Sequence, residues 1–104
     1  MEMLVPTPPT AEPSQNLIAQ RLVYAMSLLS PTRRALLPTI NEHVQRLIPG
    51  APHLTEMMLS RIAHGKRHVK DYELIAITRA LDIDIDWLIG EGPVDALISR
   101  HTTR

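Results

Sequence analysis

The sequence contains no cysteine and no phenylalanine, and its 104 residues include only one tryptophan and two tyrosines. The lack of cysteine excludes disulfides, thiol catalysis and cysteine-ligated zinc, and it is consistent with a reducing cytoplasm. With so few aromatic side chains, the core must consist mostly of Leu, Ile, Val, Met and Ala, a composition that suits packed helices better than a sheet sandwich. The hydrophobic content of 44% is ordinary for a globular protein, so we expect one all-α domain.

Long apolar runs and catalytic motifs are missing as well. No stretch reaches the roughly 18 apolar residues that span a bilayer, and the first residues lack the pattern of a secretory signal, so we predict no membrane partner. The chain has no nucleophile elbow, phosphate-binding glycine loop or HExxH motif, and a domain of this length seldom encloses a sizeable pocket. We therefore expect neither enzymatic activity nor a cofactor.

Two patterns resemble metal sites without completing one. His64 and His68 are four residues apart, but a glycine between them breaks the helix and no third ligand is near. The Asp-x-Asp-x-Asp run at 82–86 looks like the start of a calcium loop, yet Trp87 and Pro93 stand where that loop needs glycine and glutamate. The sequence therefore predicts no metal site.

Charge is balanced overall but unevenly distributed. The chain has 11 basic and 11 acidic residues, and its formal net charge is zero. Residues 55–70 nevertheless carry a local net charge of +3, whereas residues 71–95 carry −6. Such a polarised molecule can present one face to phosphates and keep the other face away from them.

The chain divides into three parts. Residues 1–13 contain four prolines and no periodic pattern, which predicts a disordered Pro-rich arm, with a dimer-swapping or partner-binding arm as the alternative. Residues 14–90 carry the helical patterns of one domain. Residues 91–104 form a tail, in which we expect a short helix and a dimer contact.

Two helices and a short helical turn are predicted in the first half of the domain. Ser14 is a suitable N-cap for a helix over 15–29, whose apolar residues recur at spacings of three and four. A Ser-Pro pair then predicts a helical turn that ends before Pro38. The capping box that follows predicts a second helix over 40–48, with Thr39 as its N-cap.

Three further helices follow. Thr55 is the predicted N-cap of a helix over 56–64, and Gly65 lies where a left-handed residue would end that helix. Two further short helices, each preceded by an aspartate N-cap, are predicted over 72–81 and 85–89.

The helix over 56–64 has an unusual outward face. At about 100° per residue, Leu59 and Ile62 fall on one side, where they anchor the helix to the core. Five side chains point outward: Glu56, Met57, Ser60, Arg61 and His64. Three basic residues follow around the glycine stop: Lys66, Arg67 and His68.

The chemistry of this face matches a helix that reads DNA. Arg61 can donate two hydrogen bonds to guanine, Glu56 can accept one from cytosine, and Met57 can touch a thymine methyl group. Thr55 and Ser60 can bind phosphate, helped by the free N–H groups at the start of the helix. Each residue also has a structural alternative, as a partner of the helix dipole, a cover for an apolar neighbour, a dimer contact or a solvated charge.

Several residue groups between about 39 and 90 form a familiar pattern: Thr55, Leu59-Ser60-Arg61-Ile62, Gly65-Lys66-Arg67, Ile75-Ala76, Ala80-Leu81 and Asp86-Trp87-Leu88. They resemble the Cro/C1 (XRE) family of helix-turn-helix repressors. The resemblance implies a compact five-helix lambda-repressor-like fold in which helix 56–64 enters the major groove. The base-reading positions are then Thr55, Glu56, Met57 and Arg61, and the phosphate-binding positions are Thr39, Asn41, Ser60, His64, Lys66, Arg67 and His68.

We therefore predict a sequence-specific regulator of transcription that binds double-stranded DNA, a repressor of bacterial or phage origin that acts in the cytoplasm at the nucleoid. Family members usually bind inverted repeats as homodimers. The candidate dimer contacts are Trp87, Ile89, Val94, Leu97 and Ile98. The alternative is a protein-interaction module, such as an antitoxin or antirepressor, and a regulatory protein partner is compatible with either function.

Overall fold

The computed structural model describes residues 13–29 and 32–95. All regular structure in these residues is helical, which confirms the predicted all-α class. The helices are α1 (Ala19–Leu29), α2 (Arg33–Leu47), α3 (Glu56–Ala63), α4 (Asp71–Leu81) and α5 (Ile85–Leu88). Nearly all of the predicted N-terminal arm lies outside the described residues, as does the tail beyond residue 95. Within the described part of the chain, no helix is long and apolar enough to cross a membrane.

The core is aliphatic, as the composition predicts. Its largest fully buried side chains come from all five helices: Leu22, Ile40, Val44, Leu59, Ile62, Ile77 and Leu88. The most extensive helix contact is between α2 and α4, and α3 packs against both α1 and α2. Helix α3 is therefore supported along its buried side, while its opposite side faces solvent.

The predicted start of the first helix is wrong by four residues. Helix α1 begins at Ala19, and Ser14 is not its N-cap. Instead, the Oδ1 atom of Asn16 accepts a hydrogen bond from the N–H of Ile18 at 3.0 Å, and the Ser14 hydroxyl donates to the carbonyl of Asn16 at 2.8 Å. Side chains of this kind compete with helical hydrogen bonds, so residues 15–18 form bends rather than a helical turn.

The predicted break at Pro38 is also wrong. Residues on both sides of this proline form the single helix α2, which is capped by Thr32 and not by Thr39. The Thr32 hydroxyl accepts from the N–H of Ala35 at 3.0 Å. Pro38 lies on the exposed face, whereas Leu36 and Ile40 are buried on either side of it. Burial of these neighbours outweighs the helix-breaking tendency of proline.

The remaining helices closely match the predictions. Thr55 is the N-cap of α3, and its hydroxyl accepts from the N–H of Met58 at 3.1 Å. Gly65 follows the end of α3 with φ of +73°, the left-handed conformation expected there. Helix α4 begins at Asp71 with Lys70 as its N-cap, one residue earlier than predicted. Asp84 precedes α5 as its N-cap.

Candidate nucleic-acid interface

Helix α3 has one buried and one exposed face, oriented as the sequence predicts. Leu59 and Ile62 are completely buried, whereas Met57 remains 67% exposed. Three polar residues on the same face are also exposed, namely Glu56, Arg61 and His64. Ser60 completes the face and is partly exposed. Two thirds of the Met57 surface is left uncovered by the described residues, so this side chain is accessible for contact with another molecule.

The start of α3 is held by a side chain of α2. The side-chain amide of Asn41 donates to the carbonyl of Leu54 at 2.9 Å, and its Oδ1 atom accepts from the N–H of the same residue at 2.8 Å. Gln45, one turn later, similarly bonds the carbonyl of Ala51 and the N–H of Gly50. These paired bonds keep the long connection between α2 and α3 in one conformation.

Two residues predicted to bind phosphate lose the basis for that role. Asn41 uses both ends of its side-chain amide on Leu54, so it has a structural role at this position. Thr39 lies inside α2 rather than at its start, so the free N–H groups of a helix N-terminus are not beside it. For Thr39 the cause is the continuation of α2 through Pro38.

Glu56 at the start of α3 forms an ion pair with α2. Its carboxylate lies 3.6 Å from the Nε atom of Arg34, and both side chains are largely exposed. Exposed ion pairs of this kind contribute little to stability. The carboxylate therefore stays available to another hydrogen-bond donor.

A Schellman motif ends α3 and brings two cations together. The N–H of Lys66 donates to the carbonyl of Arg61 at 2.8 Å, and the N–H of Gly65 donates to the carbonyl of Ile62 at 3.0 Å. The two residues joined by the outer bond usually make an apolar contact in this motif. Here they are Arg61 and Lys66, both of which are exposed.

Arg61 and Lys66 line one open cleft. Its volume is about 410 Å³, and Pro13, Gln15 and Gly65 form the rest of its lining. No acidic residue lines this cleft, and neither cation forms an ion pair with any residue that the structure describes. Two neighbouring unpaired cations repel each other, so an anion such as phosphate is favoured at this position.

The two histidines near this cleft have separate environments. The Nδ1 atom of His64 lies 2.7 Å from the carbonyl oxygen of Ser60, so this nitrogen carries a hydrogen and donates it. His68 is exposed beyond the glycine stop. Within the described residues, no group of three His, Cys, Asp or Glu side chains is placed to hold a metal ion.

Arg67 is not a free member of the basic group. Its guanidinium donates to both carboxylate oxygens of Glu73, at 2.9 and 3.2 Å, and also to the carbonyl of His68 at 3.0 Å. The Arg67 side chain is 21% exposed and that of Glu73 is 3% exposed. The prediction that Arg67 binds phosphate therefore lacks support, because Glu73 already neutralises its charge and three of its N–H donors are bonded within the protein.

The same pair shifts two pKa values. Burial raises the pKa of the Glu73 carboxyl, but hydrogen bonds from Arg67 and from the N–H of Lys70, together with the charges of these two residues, lower the pKa below its ordinary value overall. The hydrogen bond to Glu73 raises the pKa of Arg67 despite partial burial. The sequence patterns did not predict this ion pair, although Lys70 and Glu73 have the three-residue spacing of a capping box.

Trp87 does not fit its predicted role as a dimer contact. It is only 6% exposed, and its indole N–H donates to the carbonyls of Pro93 and Val94 at 3.2 and 3.1 Å. The guanidinium of Arg21 covers the ring at 5.3 Å from its centroid. Among the other candidates, Ile89 is partly buried against the core and Val94 is exposed. Leu97 and Ile98 lie outside the described residues.

Comparison with models of protein families, with curated proteins and with solved structures finds no match to this chain. The functional assignment therefore depends on the geometry of α3 and its surroundings.

Proposed function

We propose that this protein is a sequence-specific regulator of transcription that binds double-stranded DNA and inserts α3 into the major groove. The observation that carries the proposal is the exposed face of α3 beside the cations Arg61 and Lys66, which form no ion pair with any of the residues described. A polar face for base edges beside cations for phosphates is the combination that such recognition needs.

The dimensions of α3 support this assignment. A helix with its side chains is about 10–12 Å in diameter and the major groove is about 12 Å wide, so the eight-residue α3 can enter the groove with its exposed face toward the base edges. The core contacts of Leu59 and Ile62 hold the helix on the protein surface. In the proposed Cro/C1-type arrangement, α2 and α3 are the two helices of the helix-turn-helix and α3 is the reading helix.

The roles within the proposed site follow from chemistry and position. Base reading is assigned to the first turn of α3 and to its exposed arginine: Thr55, Glu56, Met57 and Arg61. Phosphate contacts are assigned to the flank of α3 and to the turn after it: Ser60, His64, Lys66 and His68. Three predicted phosphate contacts are not included. Arg67 and Asn41 form hydrogen bonds within the protein, and Thr39 lies in the middle of α2.

A homodimer on an inverted repeat is the form we propose for the active protein. Two copies of α3 would then enter successive major grooves about one helical turn apart. We propose repression as the outcome, since a domain that occupies an operator blocks access to it.

Selection from a pool of random duplexes tests the proposal. We expect enrichment of one motif, with a steep loss of affinity as salt rises because several phosphates are contacted. Enrichment of two inverted half-sites would support the dimer. Absence of binding to any duplex at low salt would contradict the proposal and favour the protein-interaction alternative, for which the 80% exposed Leu17 and the exposed Met57 supply apolar contacts.

A further inference from the structure

We propose that Asn16 is a positioning residue for the carboxyl end of α3, and that it fixes the placement of Arg61 and Lys66 against DNA. The inference rests on the proposed function. Asn16 itself contacts no DNA in this account, because it acts through the backbone that carries the two cations.

The side chain of Asn16 joins three parts of the chain. Its amide nitrogen donates to the carbonyl of Ile62 at 3.0 Å and to the carbonyl of Arg67 at 2.9 Å. Its oxygen accepts from the N–H of Ile18 at 3.0 Å. The carbonyl of Ile62 is part of the Schellman motif and that of Arg67 follows it, so one amide group bonds the backbone on both sides of Lys66.

The backbone beside Asn16 contacts the same turn. The N–H of Gln15 donates to the carbonyl of Gly65 at 2.8 Å. Ser14 lies so close that a Cβ atom added to Gly65 would be 2.5 Å from its hydroxyl oxygen. We call residues 14–16 the brace, because this segment lies directly against the end of α3.

The brace adds hydrogen bonds to the end of α3 from outside the helix. Without these bonds the last turn would fray more easily, which would let the side chains on it move. The Ile62 carbonyl already accepts from the N–H of Gly65, and the Asn16 amide adds a second bond to it. The N–H of Gln15 donates to the carbonyl of Gly65, just beyond the helix. Arg61 precedes the first of these carbonyls and Lys66 follows the second, so the brace holds the backbone of both cations.

Together with Asn41, the brace gives α3 an asparagine at each end. Asn41 fixes the residue before the N-cap through Leu54, and Asn16 fixes the last turn. Neither support comes from α3 itself. A helix that reads DNA must be held to within about half an ångström of its binding geometry. Hydrogen bonds at both ends of α3 restrict its position more than packing of its buried face against the core would do alone.

Amide exchange and duplex affinity distinguish a purely structural role of Asn16 from a positioning role. Loss of a residue that only stabilises the fold would raise amide exchange everywhere in the core and would weaken selected and shuffled duplexes alike. Loss of a positioning residue would raise exchange at the turn after α3 and would reduce discrimination between duplexes.

The test compares Asn16→Asp and Asn16→Ala with the matched controls Gln20→Asp and Gln20→Ala. Asp keeps the acceptor for Ile18 but loses both donors, and Ala avoids the added negative charge. Gln20 is exposed on α1, so its variants introduce the same changes nearby without altering the brace. Two quantities are measured: amide hydrogen exchange and affinity for the selected and shuffled duplexes.

We expect the amides of Gly65 and Lys66 to exchange at least about tenfold faster in both Asn16 variants, a factor typical of one lost hydrogen bond, while the buried amides of Ile77 and Ala76 are unchanged. Affinity for the selected duplex should fall about tenfold more than affinity for the shuffled duplex.

Equal exchange in the Asn16 and Gln20 variants would overturn the proposal, as would a uniform rise that includes α4. Equal loss on the two duplexes would also overturn it. If the unmodified protein binds no duplex, the proposed function fails and the DNA part of this inference fails with it, whereas the exchange data still decide whether the brace holds α3.

Discussion

Arg67 and Glu73 form a two-point ion pair, with hydrogen bonds of 2.9 and 3.2 Å between the guanidinium and the carboxylate. The carboxylate is almost completely buried and also accepts from the N–H of Lys70 at 3.0 Å. This pair joins the turn after α3 to the first turn of α4. Of two adjacent basic residues, therefore, Arg67 holds the turn in place and Lys66 extends into solvent.

Glu73→Gln should destabilise the protein by about 2 kcal/mol at neutral pH, because it leaves a partly buried guanidinium without its carboxylate. The pKa of Glu73 is lowered in the folded state from an ordinary value of 4.5. Its ionised form therefore stabilises the fold fully above pH 4.5, and this contribution is lost as pH falls through the lowered folded pKa. Denaturant unfolding between pH 3 and 7 measures the effect.

The matched control is Glu42→Gln, which breaks the exposed pair between Glu42 and Arg46. Exposed pairs contribute little, so stability should hardly change. Equal effects of the two substitutions would show that the buried pair has no special role.

Gly65→Ala should destabilise the protein more than Gly50→Ala. Both glycines have positive φ, +73° and +87°, so each alanine carries a conformational cost of about 1 kcal/mol. Only at Gly65 would the new Cβ meet Ser14, at 2.5 Å from its oxygen, whereas nothing lies within 4 Å at Gly50. Thermal unfolding of the two variants isolates this contact, and equal losses would argue against close packing of the brace on α3.

Pro38→Ala should stabilise the protein by about 1 kcal/mol or more. The alanine restores a helical N–H inside α2 and has the highest helix propensity, and the exposed position offers no packing to lose. Thr39→Ala, at the next exposed position of the same helix, controls for propensity alone. A destabilised Pro38→Ala variant would contradict the continuous helix over Arg33–Leu47.

Lys66→Ala should weaken binding to all duplexes alike and lower the slope of log affinity against log salt by about one. Arg67→Ala should chiefly lower the unfolding free energy, because its partner is Glu73. Arg79→Ala, which removes an exposed cation of α4, is the control and should leave the slope unchanged. A slope that falls with Arg67 but not with Lys66 would reverse these assignments.

The predictable parts of the fold are those set by local chemistry. Thr55 as an N-cap and Gly65 as a left-handed stop depend on residues within one turn, and the structure confirms both. The predicted helix boundaries near Pro38 and Asn16 were wrong for a common reason. The helix continues through Pro38 because residues on either side of it are buried. The chain at Asn16 is held by hydrogen bonds to residues 46 and 51 positions away, and local sequence patterns indicate neither kind of contact.

The candidate site was predictable to a similar degree. Helical spacing correctly placed Met57 and Arg61 outward and Leu59 inward, because α3 is short, regular and supported on one side. Spacing could not separate Lys66 from Arg67, since their difference depends on a buried partner in α4. The same limit applies to Trp87, whose burial under Arg21 follows from the approach of two distant segments.

Arg61→Ala, measured on the selected duplex and on its single-base-pair variants, tests the central claim that α3 reads DNA sequence. We expect a loss of about 1–3 kcal/mol on the selected duplex, with discrimination abolished at one base pair and kept at the others. An equal loss on selected and random duplexes, with discrimination intact at every position, would contradict the claim.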